Sequence, residues 1–303
     1  MLSPRNSWFP VTFLLLSIGF ACASFAEEQK PTPFRSATSE VRISFVATDT
    51  SNRPLANLTP SDFAIVDGEA VVRDFRSFTR SDETALDLIL LVDASESVGR
   101  QFESVIDGVS QMDAGKHAGD RVSVLSFCGM RSSVLCASCD RGQAAEKLRS
   151  IRADGATPLY DALVFASEFV ASHHQPYRQA VVILFSDGND TISKVAGREA
   201  LEAVVNSGAL LYTVDLDARV AVSPGGIVLR RMAEATGGRS FRERDGASDV
   251  LQAIMADARA SYIVTYGLPN HAAGFHSLRI LPTRNLNLRF HCRNGYFYGE
   301  NHP

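Results

Sequence analysis

Leu88-Ile89-Leu90-Leu91-Val92-Asp93-Ala94-Ser95-Glu96-Ser97 divides into two halves of opposite chemistry. Leu88 to Val92 is an unbroken aliphatic run, the pattern of a strand buried on both faces of a parallel sheet. The chain then turns polar and enters a helix on which Val98, Phe102, Val105, Ile106, Val109 and Met112 share one stripe. A carboxylate and two hydroxyls at alternate positions on such a turn can aim three oxygens at one spot. Hard divalent cations such as Mg²⁺ are held by oxygen ligands of this kind. Alone, D-x-S-x-S is a weak signal, because Asp and Ser also cap helices.

Further oxygens come from two distant segments. Thr157 lies in Gly155-Ala156-Thr157-Pro158, where a Thr followed by Pro marks a helix start. Asp187 lies in Ser186-Asp187-Gly188, directly after a second buried strand predicted from Ala180 to Phe185. The same device, an apolar strand followed by an oxygen-bearing turn, is thus used twice.

In order and spacing, these three segments resemble the von Willebrand factor type A (VWA) domain over roughly Ala85 to Arg259. That family's metal-ion-dependent adhesion site is built from D-x-S-x-S, a distant Thr and a distant Asp. The resemblance implies a site of Asp93, Ser95, Ser97, Thr157 and Asp187, with Mg²⁺ or Mn²⁺ as the ion and Ca²⁺ behind them. It also implies an α/β fold, doubly wound with a mostly parallel sheet. The flanks look like an exported bacterial branch described as VWFA-related in acidobacteria, including the Phe275-His276…Asn294-Gly295-Tyr296 end.

The bulk properties narrow the classes. The 303 residues carry a formal charge of −4, which argues against the basic field of a general nucleic-acid binder. Arg5, an apolar segment from Trp8 to Phe20 and Ser24-Phe25-Ala26 read as a secretory signal peptide cleaved after Ala26, with Ala21-Cys22-Ala23 as the alternative cut. Its apolar stretch is short for a membrane span, which needs about 20 residues. No other segment is long enough to cross a membrane. The organisation read from the chain is a signal peptide at 1–26, a Pro-containing linker at 27–38, an N-terminal β segment at 39–80, the VWA domain at 85–259 and a C-terminal β segment at 260–303. In the N-terminal segment Val41, Ile43 and Phe45 alternate with polar residues, and Thr59-Pro60-Ser61-Asp62 predicts a capped helical turn. At the far end, strands are predicted at 262–266, 277–281 and 286–290. The two flanks are expected to pair into one small β subdomain.

Cys128, Cys136, Cys139 and Cys292 remain after leader removal, an even number that suits disulfides in an exported chain. Cys136-Ala137-Ser138-Cys139 has the C-x-x-C form, but it is placed near the end of a hairpin strand rather than at a helix start that would lower a thiol pKa. A local Cys136–Cys139 bond is expected, with Cys128 and Cys292 paired or free; a four-cysteine zinc site would need Cys292 to approach. No G-x-S-x-G, Walker loop or H-E-x-x-H occurs, and Ser95 has no base partner visible in the sequence, so no enzyme is expected. The function expected is an exported adhesion or assembly module, at the periplasm, the cell surface or outside the cell. A partner protein's acidic side chain would complete the metal coordination. The alternatives are a scaffold subunit of an envelope complex with a structural metal, and a thiol-redox protein using the C-x-x-C pair.

Overall fold

The computed structural model describes residues 40–299 except 52, 100, 113–118, 174, 176, 218–221 and 244–245. The expected signal peptide and linker lie outside the described residues. Four strands come first: β1 (Glu40–Thr48), β2 (Phe63–Asp67), β3 (Ala70–Val72) and β4 (Ser77–Arg80). A central alternation follows, beginning with β5 (Ala85–Asp93), α1 (Phe102–Gln111), β6 (Arg121–Cys128), β7 (Arg131–Cys139) and α2 (Arg141–Arg149). It continues through α3 (Leu159–His173), β8 (Arg178–Ser186), α4 (Gly197–Asn206), β9 (Leu210–Asp215), α5 (Pro224–Ala235), β10 (Ser240–Arg242) and α6 (Ala247–Arg259). The last four strands are β11 (Tyr262–Gly267), β12 (Gly274–Pro282), β13 (Arg289–Cys292) and β14 (Gly295–Tyr298).

The central sheet has the order β10-β9-β8-β5-β6-β7 and is parallel except for the β6–β7 hairpin. Its aliphatic runs explain the layering. Leu88, Leu90 and Val92 face one core with Phe102, Val105 and Val109 of α1 and with Leu251 and Ile254 of α6. Ile89 and Leu91, pointing the other way, join Leu159, Leu163 and Phe169 of α3 and Leu229 of α5 in a second core. Strand alternation thus feeds two cores from one run, which is why residues 88–92 of β5 and 180–185 of β8 carry no polar interruption. This is a mixed α/β fold with a central sheet and flanking helices.

The flanking strands form two four-stranded sheets, β13-β1-β11-β4 and β14-β12-β2-β3. Each mixes strands from before and after the central alternation, and they enclose a third core of Ile43, Phe45, Phe63, Ile65, Tyr262, Val264, Leu278 and Ile280. Tyr266 and Tyr296 bring polar tips into it, and both hydroxyls donate to Asp67 Oδ2, at 2.8 and 2.7 Å. Where the chain passes between the sandwich and the central sheet, Ser81 N donates to Ser261 O at 2.8 Å. There Arg259 donates to Ser81 O and Thr84 O and pairs with Asp120.

Several details differ from the sequence expectation. The strand expected at 286–290 begins instead at Arg289. Leu286 is exposed, because Asn285 closes a turn by accepting from Asn287 N at 3.1 Å and Leu288 N at 3.1 Å. Helix α2, absent from the sequence reading, starts two residues after Cys139 under a capping box of Asp140 and Gln143. The C-x-x-C pair therefore does precede a helix, but both cysteines lie on β7, outside the helical first turn that would activate a thiol. Cys136 and Cys139 stand at disulfide distance, with Cα atoms 5.9 Å apart.

Cys128 and Cys292 are free thiols that pack against different cores, the first on the central sheet and the second in the sandwich. Burial pushes the Cys292 thiol up to about 11. At pH 8 roughly one such thiol in a thousand is ionised, against about one in four for an ordinary cysteine near 8.5. Alkylation of Cys292 by iodoacetamide at pH 8, followed by peptide mass spectrometry, is thus expected to run at least tenfold slower than that of free cysteine. Equal rates would show that β13 opens readily.

Candidate metal centre

The strands that carry Asp93 and Asp187 are neighbours, β5 and β8, paired in parallel from Ala85↔Arg178 to Val92↔Phe185. The helices following them pack on opposite faces of the sheet, α1 on one and α4 on the other. Their carboxyl ends therefore flank a topological switch point, where open α/β sheets leave a crevice for ligands.

Asp93 is the last residue of β5 and is 0% exposed. Its Oδ1 accepts from Ser95 N at 2.9 Å, which bends the chain out of the strand, and its Oδ2 accepts from Ser186 Oγ at 2.7 Å. Ser95 is buried, and its Oγ lies 3.1 Å from the Oγ of Ser97, which is exposed at the mouth of the turn. Asp187, 6% exposed, follows β8 and accepts from Asn189 N at 3.0 Å through Oδ1. Burial pushes the Asp93 carboxyl above the usual carboxylate range and the Asp187 charge adds to this, while the hydrogen bonds from Ser95 and Ser186 oppose it.

Thr157 is buried just ahead of α3, and its backbone is held on both sides by Thr191. Thr157 N donates to Thr191 Oγ1 at 2.8 Å, and Thr191 N donates to Thr157 O at 2.9 Å. The segment is also tied to the first turn: Asp154 N donates to Ala94 O at 2.9 Å and Glu96 N donates to Gly155 O at 3.1 Å. All three oxygen-bearing segments are thus cross-linked by hydrogen bonds at one end of the sheet. Two carboxylates and three hydroxyls on them could hold a hard cation. Among the described residues no group of three or more His, Cys, Asp and Glu side chains is placed to hold a metal, so hydroxyls would have to complete any such site.

Ser186 and Thr191 were not singled out from the sequence. Ser186 Oγ donates to Asp93 and accepts from Gly188 N at 3.1 Å, so it links both acidic turns. The only sequence cue to it was its place between a buried strand and Asp187. Asp190 accepts from Ser193 Oγ, which in turn accepts from Tyr160 N and Asp161 N at the start of α3. Glu96 is exposed, as a solvated acid would be. Asp215 ends β9 and is buried, which pushes its carboxyl up, and its Oδ1 accepts from Asp217 N at 2.9 Å. His173 ends α3 stacked on Phe169, ring centroids 4.0 Å apart, a helix-end role rather than a ligand's.

Residues 88–189 match the family model of the von Willebrand factor type A domain, so the chain carries a VWA domain there. No curated protein matches the chain in sequence. Among solved structures, it is similar to an aerotolerance-related membrane protein from Bacteroides fragilis, with 15% identity over 57% of this chain and 98% of the other, TM-score 0.46. Similar too is the manganese-loaded TRAP protein of Plasmodium vivax, with 16% identity over 78% of this chain and 99% of the other, TM-score 0.47. The N-terminal domains of the type V pili tip protein Mfa5 from Porphyromonas gingivalis share 12% identity over 74% of this chain and 56% of the other, TM-score 0.47.

Proposed function

We propose that the chain binds a divalent cation, Mg²⁺ or Mn²⁺, at Asp93, Ser95, Ser97, Thr157 and Asp187. Through that ion it would capture an acidic side chain of a partner protein, without catalysing a reaction. The observation that carries this reading is the state of Asp93. It is a fully buried carboxylate at a sheet switch point, and among the described residues its hydrogen-bond partners are the neutral Ser95 N and Ser186 Oγ. A buried carboxylate needs a compensating charge or must take up a proton. A bound ion supplies that charge and, with an exchangeable position left open, attracts a partner's carboxylate.

The chain's own groups divide the work. Asp93 and Asp187 provide negative charge, directly or through water. Ser95, Ser97 and Thr157 provide neutral oxygens, which leaves the ion incompletely neutralised. Ser186 and Thr191 hold the ligands in place. The leader and the even cysteine count support export, to the periplasm, the cell surface or the medium. Among the described residues no helix is long and apolar enough to cross a membrane.

Calorimetric titration of residues 27–303 with Mg²⁺ and Mn²⁺ tests the reading. Saturable binding by the parent, weakened at least tenfold in a folded Asp187→Ala variant, is expected. No binding by a well-folded parent would sink it. The three hydrogen-bonded loops also favour a second reading, a scaffold in which the ion only stabilises the folded state. That reading predicts partner capture that survives Asp187→Ala.

Protons and the ion compete for Asp93. Its folded pKa is raised, so it takes up a proton at higher pH than an unfolded carboxylate does, and ion binding must displace that proton. Cation affinity is accordingly expected to be full above the raised pKa and to fall as pH drops through it. Titrations at a series of pH values from 7.5 downwards read this directly, and an affinity that holds until the ordinary carboxylate range would count against Asp93 as a ligand.

A further inference from the structure

Three exposed apolar side chains stand on loops whose backbones touch the segments that carry the candidate ligands. Met130 (78% exposed) caps the β6–β7 hairpin, where Gly129 N donates to Ala156 O at 2.7 Å, one residue before Thr157. Ile192 (39% exposed) adjoins Thr191, which holds the Thr157 backbone. Val222 (65% exposed) lies three residues before Gly225, which packs on the carbonyl of Asp187. Single exposed apolar residues are ordinary on a surface. Here, however, three of the nine large ones among the described residues stand on three different loops, each loop in backbone contact with a ligand-bearing segment. Exposed polar residues separate them, among them Glu96, Arg131 and Asn189.

We infer that this rim reads the neighbours of the captured carboxylate, so that the partner presents an Asp or Glu flanked by bulky apolar side chains. The inference rests on the metal-dependent reading above and specifies the partner class for the same site. A cation at the centre is complementary to a carboxylate, and the three apolar contacts are complementary to apolar side chains on either side of it. Separate apolar points broken by polar residues suit the individual side chains of a protein segment better than the continuous apolar face of a membrane. Affinity in protein interfaces is concentrated in a few well-packed contacts that their surroundings shield from water. The rim would therefore set specificity while the ion provides the common attachment.

The test uses a displayed nine-residue peptide library with a central Glu fixed, selected on residues 27–303 in Mn²⁺, together with the variant Met130→Ser/Ile192→Ser/Val222→Ser. All three sites are exposed, and thermal melting checks that the variant folds. The expected result is enrichment of Leu, Ile, Phe or Met within two positions of the Glu. The selected peptide should bind the variant at least tenfold more weakly, while Mn²⁺ affinity by calorimetry stays within about twofold. Selection of polar or basic flanks, or undiminished peptide binding by the variant, would overturn the rim's role and leave the ion site standing. Mn²⁺-dependent self-association that excludes the peptide would overturn it in favour of a second copy of the chain. A parent that fails to bind Mn²⁺, or a selection unaffected by EDTA, brings down the metal reading and the inference with it.

Discussion

Asp93→Asn is expected to abolish saturable cation binding while leaving the cation-free protein at least as stable as the parent. The two effects have opposite physical origins. In the absence of an ion, ionised Asp93 is a desolvated charge at 0% exposure beside the like charge of Asp187. An Asn of the same shape removes that charge. Its Oδ1 can still accept from Ser95 N, and its amide can donate to the Ser186 oxygen, which reverses that bond and turns the Ser186 hydroxyl proton away from position 93. With the ion present the ranking reverses. A ligand at 100 times its Kd stabilises the folded state by about 2.7 kcal/mol. For a domain of 150–250 residues each kcal/mol shifts Tm by about 2–4 °C. The parent should therefore melt roughly 5–10 °C higher in saturating Mn²⁺ than in EDTA, and the variant at one temperature in both. A variant that is less stable in EDTA yet still gains in Mn²⁺ would show that Asp93 is a structural hydrogen-bond acceptor and nothing more.

How far the sequence disclosed this arrangement depended on whether each feature has a local signature. The strands β5 and β8 were legible because burial on both faces leaves unbroken aliphatic runs. The stripe of α1 was legible because only one of its faces is covered. Helix α2 was not, since it is polar and buries little beyond Ala144, Ala145 and Leu148. Its one local cue was the Asp140…Gln143 capping box. Strand β4 was invisible for another reason: four residues have no period of their own, and Arg80 is in a strand because Tyr262 lies opposite it 182 positions along the chain. The same limit hid β10 and β14. The candidate ligands stood out because carboxylates and hydroxyls after apolar strands are conspicuous. Ser186 and Thr191 did not, because their importance lies in where their hydrogen bonds go. The apolar rim was likewise unreadable, since Met130, Ile192 and Val222 acquire meaning only when three loops meet.

Gly225→Ala should couple stability to the candidate centre in a way that no mutation of a proposed ligand can. Gly225 lies in the first turn of α5, and a Cβ there would come well within the 3.0 Å limit of real Cβ contacts against the carbonyl oxygen of Asp187. The obstacle is backbone on both sides, so no rotamer relieves it. The reciprocal contact is equally close: Gly188, at φ +77°, faces the Gly225 carbonyl. The methyl group fits only if the Asp187 turn and the first turn of α5 move apart. Overpacking of this kind costs about 1–3 kcal/mol, occasionally more. The same movement would displace Asp187 from Ser186 and Asp93, so cation affinity should fall by at least tenfold although no ligand has changed. Gly208→Ala is the matched control. Gly208 also has positive φ, +71°, but a Cβ there meets nothing within 4 Å. It should cost only the left-handed backbone strain, about 1–2 kcal/mol, and leave cation affinity as it was. Denaturant unfolding and Mn²⁺ calorimetry on both variants separate the cases. If Gly225→Ala loses stability but keeps its affinity, the Asp187 turn does not depend on α5 for its position. If Gly208→Ala loses affinity as well, the coupling is a general effect of destabilisation and not a property of the Gly188–Gly225 contact.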